Sequence, residues 1–122
     1  MSLLSMPAMS KKGRKAEDRA VEYLESQDHH VVTRNYFCHR GEIDVITLDG
    51  DYVVFVEVKK RGSGSYVSPE ASITEKKKGR LIRCAKRWLM ENNYQGNARF
   101  DVIAISDNTI RHYENAIQLR AS

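Results

Sequence analysis

Apolar residues recur at helical spacing from about Arg14 to Gln27, where Ala16, Ala20, Tyr23 and Leu24 form one stripe and Val21 widens it. The period then changes. Residues 31–37 are β-branched and aromatic and predict a strand. Gly41 to Lys60 reads GEIDVITLDGDYVVFVEVKK, two strand-like runs around Asp49-Gly50, a strong hairpin signal. The Gly- and Ser-rich stretch 61–71, with Pro69, predicts a loop. Ser72 with Glu75 has the form of a capping box, and Thr74 is the alternative cap. A second helix follows to about Asn92, with Leu81, Ile82, Ala85, Trp88 and Leu89 as its stripe. Residues 99–105 and 110–114 predict two more strands around a turn at Asp107-Asn108. The order α-β-β-β-α-β-β describes a mixed α/β fold, a sheet of about five strands with flanking helices. The long crossover before the fourth strand suits a parallel pairing.

The 122-residue length fits a single domain, expected over residues 13–118, with residues 1–12 a disordered leader and 119–122 a tail. No stretch approaches the ~20 apolar residues of a membrane helix, so no membrane partner is expected. Residues 1–10 are apolar with their basic run behind them, the reverse of a signal peptide. Two cysteines, Cys38 and Cys84, are too few for a disulfide framework, and a reducing cytoplasm is the default location. Twenty Lys and Arg against sixteen Asp and Glu leave a net charge of +4, which is compatible with a nucleic-acid partner without requiring one.

A two-residue turn at Asp49-Gly50 sets Ile46 opposite Val53, Asp44 opposite Phe55 and Glu42 opposite Glu57. Side chains alternate along a strand, so Glu42, Asp44, Glu57 and Lys59 share one face, which continues as Ile46, Leu48, Val53 and Phe55. In that register Asp44 and Glu57 are diagonal neighbours with Cβ atoms roughly 7–8 Å apart, close enough for both carboxylates to reach one Mg²⁺. Glu17 and Lys77 fall on or beside the apolar stripes of the two helices, a placement that packing alone does not favour. Carboxylates holding a hard cation, with a lysine beside it, can activate water and offset charge on phosphorus. The blander alternative is an ion-pair network, Glu57 with Lys59 or Asp44 with Lys77, and Glu-x-Lys by itself is as common on a solvated strand face.

GEIDVI, VFVEVKKR, the helix KKKGRLIRCAKRWL and RFDVIAI, in this order over residues 13–105, resemble the YraN-like family of bacterial proteins. That family is similar to archaeal Holliday-junction resolvases and resembles a minimal restriction-endonuclease-like fold of the PD-(D/E)xK superfamily. The resemblance implies metal ligation by Asp44, Glu57 and the Val58 carbonyl, with Mg²⁺ or Mn²⁺ as the ion. It implies a catalytic role for Lys59 and supporting roles for Glu17 and Lys77. Glu42 matches the Gly-Glu-Ile-Asp motif as an outer group or a second-metal ligand. Two positions depart from the pattern: Ile43 stands where the motif name has proline, and Ala16 where the family usually has glycine.

Seven of the twelve residues 76–87 are Lys or Arg and none is acidic, which favours phosphate contact over a merely solvated face. The candidate DNA contacts are Lys60, Arg61, Lys76, Lys78, Arg80 and Arg83, with Lys11–Lys15 as a further basic run. Loop 61–71 lies beside the site, where it would serve as a lid or a linker, and its Tyr66 would be available to stack on a base. Cys38, His39, His29 and His30 lack the spacing of a zinc site. Asp101 either pairs with a basic side chain or ends its strand in solvent. The expected activity is metal-dependent DNA endonuclease cleavage, with branched DNA as the implied substrate and a homodimer as the implied assembly. The alternatives are a non-catalytic nucleic-acid-binding protein of the same fold and a protein-interaction module in DNA processing.

Overall fold

A computed structural model describes residues 11–60 and 73–118. Its elements are α1 (Lys11–Ser26), β1 (His30–Cys38), β2 (Gly41–Asp49), β3 (Tyr52–Lys60), α2 (Glu75–Glu91), β4 (Asn97–Ile105) and β5 (Ile110–Ile117). This is the α-β-β-β-α-β-β order that the hydrophobic pattern predicts. Residues 1–10, loop 61–71 with Arg61 and Tyr66, Ser72, and the tail 119–122 lie outside the described residues. Helix α1 begins at Lys11 rather than near Arg14, so the basic run Lys11–Lys15 belongs to its first turns.

The five strands form one sheet in the order β1-β2-β3-β4-β5. Only β3 and β4 run parallel, and the connection between them carries α2. A parallel pair needs such a crossover, because a tight turn can only reverse the chain. The two helices take opposite faces. Leu81, Ala85 and Trp88 of α2 pack on Ile46, Val53, Phe55, Phe100 and Val102. Ala16, Ala20 and Leu24 of α1 pack on Val45, Val54, Val56, Ile103 and Ile105. Strand β3 is covered on both faces, which is why Val53–Glu57 is an unbroken buried run rather than an alternating one.

The hairpin register differs from the expected one by two residues. Asp49 pairs with Tyr52, so the turn is Gly50-Asp51 and Ile46 faces Phe55. Gly50 has φ of 58°, and a two-residue turn places that left-handed conformation at its first inner position. A shift of two preserves which side chains share a face but brings Asp44 opposite Glu57, one step beyond the Val45–Val56 pair.

Thr74, not Ser72, caps α2: its Oγ1 accepts the Lys77 N–H at 3.1 Å. Cys38 at the end of β1 is bonded to Cys84 of α2, a pairing that the residue spacing did not suggest. Gly41 starts β2 against this bridge, and a Cβ there would lie 2.9 Å from the Cys84 sulfur. With Cys38 so bonded, a zinc site on it is excluded. Among the described residues no helix is long and apolar enough to cross a membrane.

Candidate active site

The site forms where the β2–β3 ladder opens towards the start of β2. Past Val45–Val56, the Asp44 carboxylate itself takes up the ladder, its Oδ2 accepting the Val58 N–H at 2.8 Å. Opposite it, Glu57 is 4% exposed and continues the face that Val53 and Phe55 turn to α2. Its Oε2 receives Lys77 Nζ at 2.9 Å and Lys59 Nζ at 3.5 Å. Lys77 reaches it from the first turn of α2, which the Thr74 cap holds. Of the ion pairs left open by the sequence, the lysines therefore choose Glu57.

A second group of polar side chains joins from β1 and α1. Glu17 is 3% exposed, and its Oε1 accepts Arg34 Nε at 3.2 Å and Nη2 at 3.0 Å. The same Nη2 reaches Asp18 at 2.6 Å. Glu17 Oε2 accepts Asn35 Nδ2 at 3.0 Å, and that nitrogen also donates to Glu42 Oε2 at 2.8 Å. Arg34 and Asn35 are adjacent, yet both reach Glu17, although successive strand side chains normally point to opposite faces. Asn35 has φ of 54°, a conformation that Asn tolerates better than most residues, and this local reversal permits the double contact. Strand β2 shows the matching irregularity. Ile43 and Ile46 both pack on the α2 side, with Val45 on the α1 side between them.

Electrostatically the centre is Asp44. Burial pushes its pKa up to about 8, with the negative charges of Glu57, Glu42 and Glu17 adding to the shift and the Val58 N–H opposing it. For Lys77, burial works downward, but the hydrogen bond and charge of Glu57 outweigh it and the net shift is upward. Carboxylates crowded in this way are short of positive charge, and their hard oxygens fit a divalent cation. Among the described residues no three His, Cys, Asp or Glu side chains stand together as a ready coordination set. Two carboxylates are a sufficient protein contribution for Mg²⁺, which keeps several waters. Asp44 and Glu57 are the pair that fits.

The structure thus brings together Glu17, Glu42, Asp44, Glu57, Lys59 and Lys77, which the sequence singled out. Val58 is there through its N–H and pairs with Ile103 of β4. Lys60, Lys76 and Arg83 are exposed, whereas Arg80 is half-buried and Lys78 is tied to Glu75 at 3.1 Å. Arg34 and Asn35 were missed. The only signal for them was the polar run Thr33-Arg34-Asn35 inside a strand with apolar residues on either side. Asp101, left open by the sequence, is fully buried and pairs with both Arg99 and His112. His29 likewise turns inward, to the Thr47 hydroxyl and Asp49.

Comparison with known proteins shows the family. The model of the Uncharacterised protein family UPF0102 matches residues 16–105. The chain belongs to the UPF0102, or YraN-like, family. A UPF0102 protein of Sulfurihydrogenibium sp. is 45% identical over 111 residues, covering 90% of this chain and 96% of the relative. One from Persephonella marina is 41% identical over 109 residues, covering 88% and 94%. One from Geobacter metallireducens is 40% identical over 112 residues, covering 88% and 92%. The UPF0102 relatives span nearly the same length, so the α1 glutamate, the hairpin and α2 all fall within the shared region.

Proposed function

We propose that this UPF0102 protein is a divalent-cation-dependent DNA endonuclease. The observation that carries the reading is the opposition of Asp44 and Glu57 at the open end of the β2–β3 hairpin, with Lys59 and Lys77 against them. When bound, a Mg²⁺ or Mn²⁺ ion held by Asp44, Glu57 and the Val58 carbonyl would acidify water and offset charge on the attacked phosphate. Glu42 would contribute to the acidic surroundings of the ion. Lys59 would orient the attacking water or balance charge in the transition state. Lys77 holds Glu57 in position from the helix, and Glu17 adds to the negative field that Glu57 and Glu42 exert on Asp44. The cations of β3 and α2, Lys60, Lys76, Lys78, Arg80 and Arg83, would carry the DNA backbone to the site through phosphate contacts. Branched DNA is the substrate class that the resolvase resemblance favours, and a homodimer would supply two sites for paired cuts.

The test is cleavage of labelled linear, flapped and four-way-junction DNA with Mg²⁺, Mn²⁺ or EDTA, beside Asp44→Asn and Glu57→Gln. The expected result is cleavage that EDTA abolishes and that either variant reduces by about 100-fold or more, with DNA binding retained. A salt-dependent gel shift without cleavage would leave a non-catalytic DNA-binding protein. No affinity even at low salt would point to a protein-interaction module.

A further inference from the structure

Among the described residues, one buried side-chain atom of the site region has no hydrogen-bond partner. Asn35 is 8% exposed, and its Oδ1 is the buried side-chain oxygen left without a hydrogen bond among the described residues. The other end of the same amide is fully used, one N–H on Glu17 Oε2 and one on Glu42 Oε2. These contacts fix the direction of the amide, because turning it over would set its carbonyl oxygen against two carboxylates. They also fill a particular place. A nitrogen 3.0 Å and 2.8 Å from two carboxylate oxygens lies between Glu17 and Glu42 and donates to both, the charge-balancing role that a bridging cation would play. Arg34 occupies the remaining oxygen of Glu17, so that carboxylate is taken on both sides.

We infer that Asn35 is a positioning residue that substitutes for a second metal ion, and that the site takes one divalent cation, at Asp44 and Glu57. The amide NH2 supplies partial positive charge between Glu17 and Glu42 without adding a coordination site. The price is its buried Oδ1, which has no donor among the described residues. Asparagine suits the position twice, since it tolerates φ of 54° and carries a double donor. The inference rests on the divalent-ion reading above, but it concerns the number of ions and not cleavage.

Calorimetric titration of the whole protein with Mn²⁺ tests it, beside Asp44→Asn, Asn35→Asp and Asn35→Gly. Both Asn35 variants keep a residue that accepts a positive φ, and the glycine variant covers the case in which the extra carboxylate prevents folding. The expected stoichiometry is one Mn²⁺ per chain, lost in Asp44→Asn, and two in the Asn35 variants that fold. In parallel, the Asn35 side-chain NH2 signals of ¹⁵N-labelled wild-type protein should remain protected from exchange when saturating Mg²⁺ is added. Two ions in the wild type, one ion in both Asn35 variants, or loss of that protection with Mg²⁺ would overturn the inference and leave the nuclease reading standing. No bound ion in the wild type would overturn both.

Discussion

Removing the charge of Glu57 takes away the largest like-charge contribution acting on Asp44. In metal-free Glu57→Gln, the Asp44 carboxyl should therefore titrate below its present value of about 8, as followed by ¹³C NMR. Unchanged titration would mean that the Glu57 charge does not contribute to the shift. Arg34 has a comparable hold on Glu17. Arg34→Met leaves a buried carboxylate oxygen without its charged donors, and unfolding by urea should show a loss of about 1.5–3 kcal/mol. Neither Arg34 nor Asn35 was legible as part of the site, because their role depends on a single residue with positive φ that places two consecutive side chains on one glutamate. Asp44, Glu57 and Lys59 were legible, because alternation along two strands groups them whatever the even-numbered shift in register.

At the scale of elements, the first turn of α2 couples helix stability to the site. Thr74 Oγ1 receives the N–H of Lys77, whose own ammonium lies on Glu57. Thr74→Ala should cost about 0.5–2 kcal/mol and speed amide exchange at Lys77, measurable by hydrogen exchange. Protection at Lys77 equal to wild type would show that tertiary contact alone holds the turn. The Cys38–Cys84 bridge joins the end of β1 to α2 across 46 residues. Reduction with dithiothreitol should lower the unfolding free energy by about 2–4 kcal/mol, and Cys84→Ser should show the same deficit without reductant.

Over the whole molecule, buried ionisable groups pull pH dependence in opposite directions. Asp44 has a folded pKa above its unfolded value, so the folded metal-free chain binds the extra proton and stability falls as pH rises from about 4 towards 8. His29 is shifted down by burial, with Asp49 opposing, so its contribution is full above about 6.5 and is lost as pH falls below that value. For Asp101, burial works upward, but His112, Arg99 and the Asn115 N–H prevail and the net shift is down. Its stabilisation is present above about 4 and lost as pH falls through the folded value. Asp44→Asn should therefore raise the Tm of metal-free protein at pH 8 and leave stability that declines only on the acid side, as measured by calorimetry from pH 4 to 8. Mg²⁺ should raise the wild-type Tm and leave that of Asp44→Asn unchanged, because a ligand stabilises only a state that binds it.

The chain by itself determined the element order, the two helix stripes and the grouping of Asp44, Glu57 and Lys59, all of which follow from local periodicity. It also marked Glu17 and Lys77, as charges on stripes that should be apolar. Tertiary structure decided what periodicity does not encode. The position of Gly50 within the turn set which carboxylates oppose one another. The crossing of α2 over the sheet brought Cys84 to Cys38 and Lys77 to Glu57. The reversal at Asn35 joined Glu17 of α1 to Glu42 of β2. Each of these joins residues from separate elements, and such contacts exist only once the layers have packed.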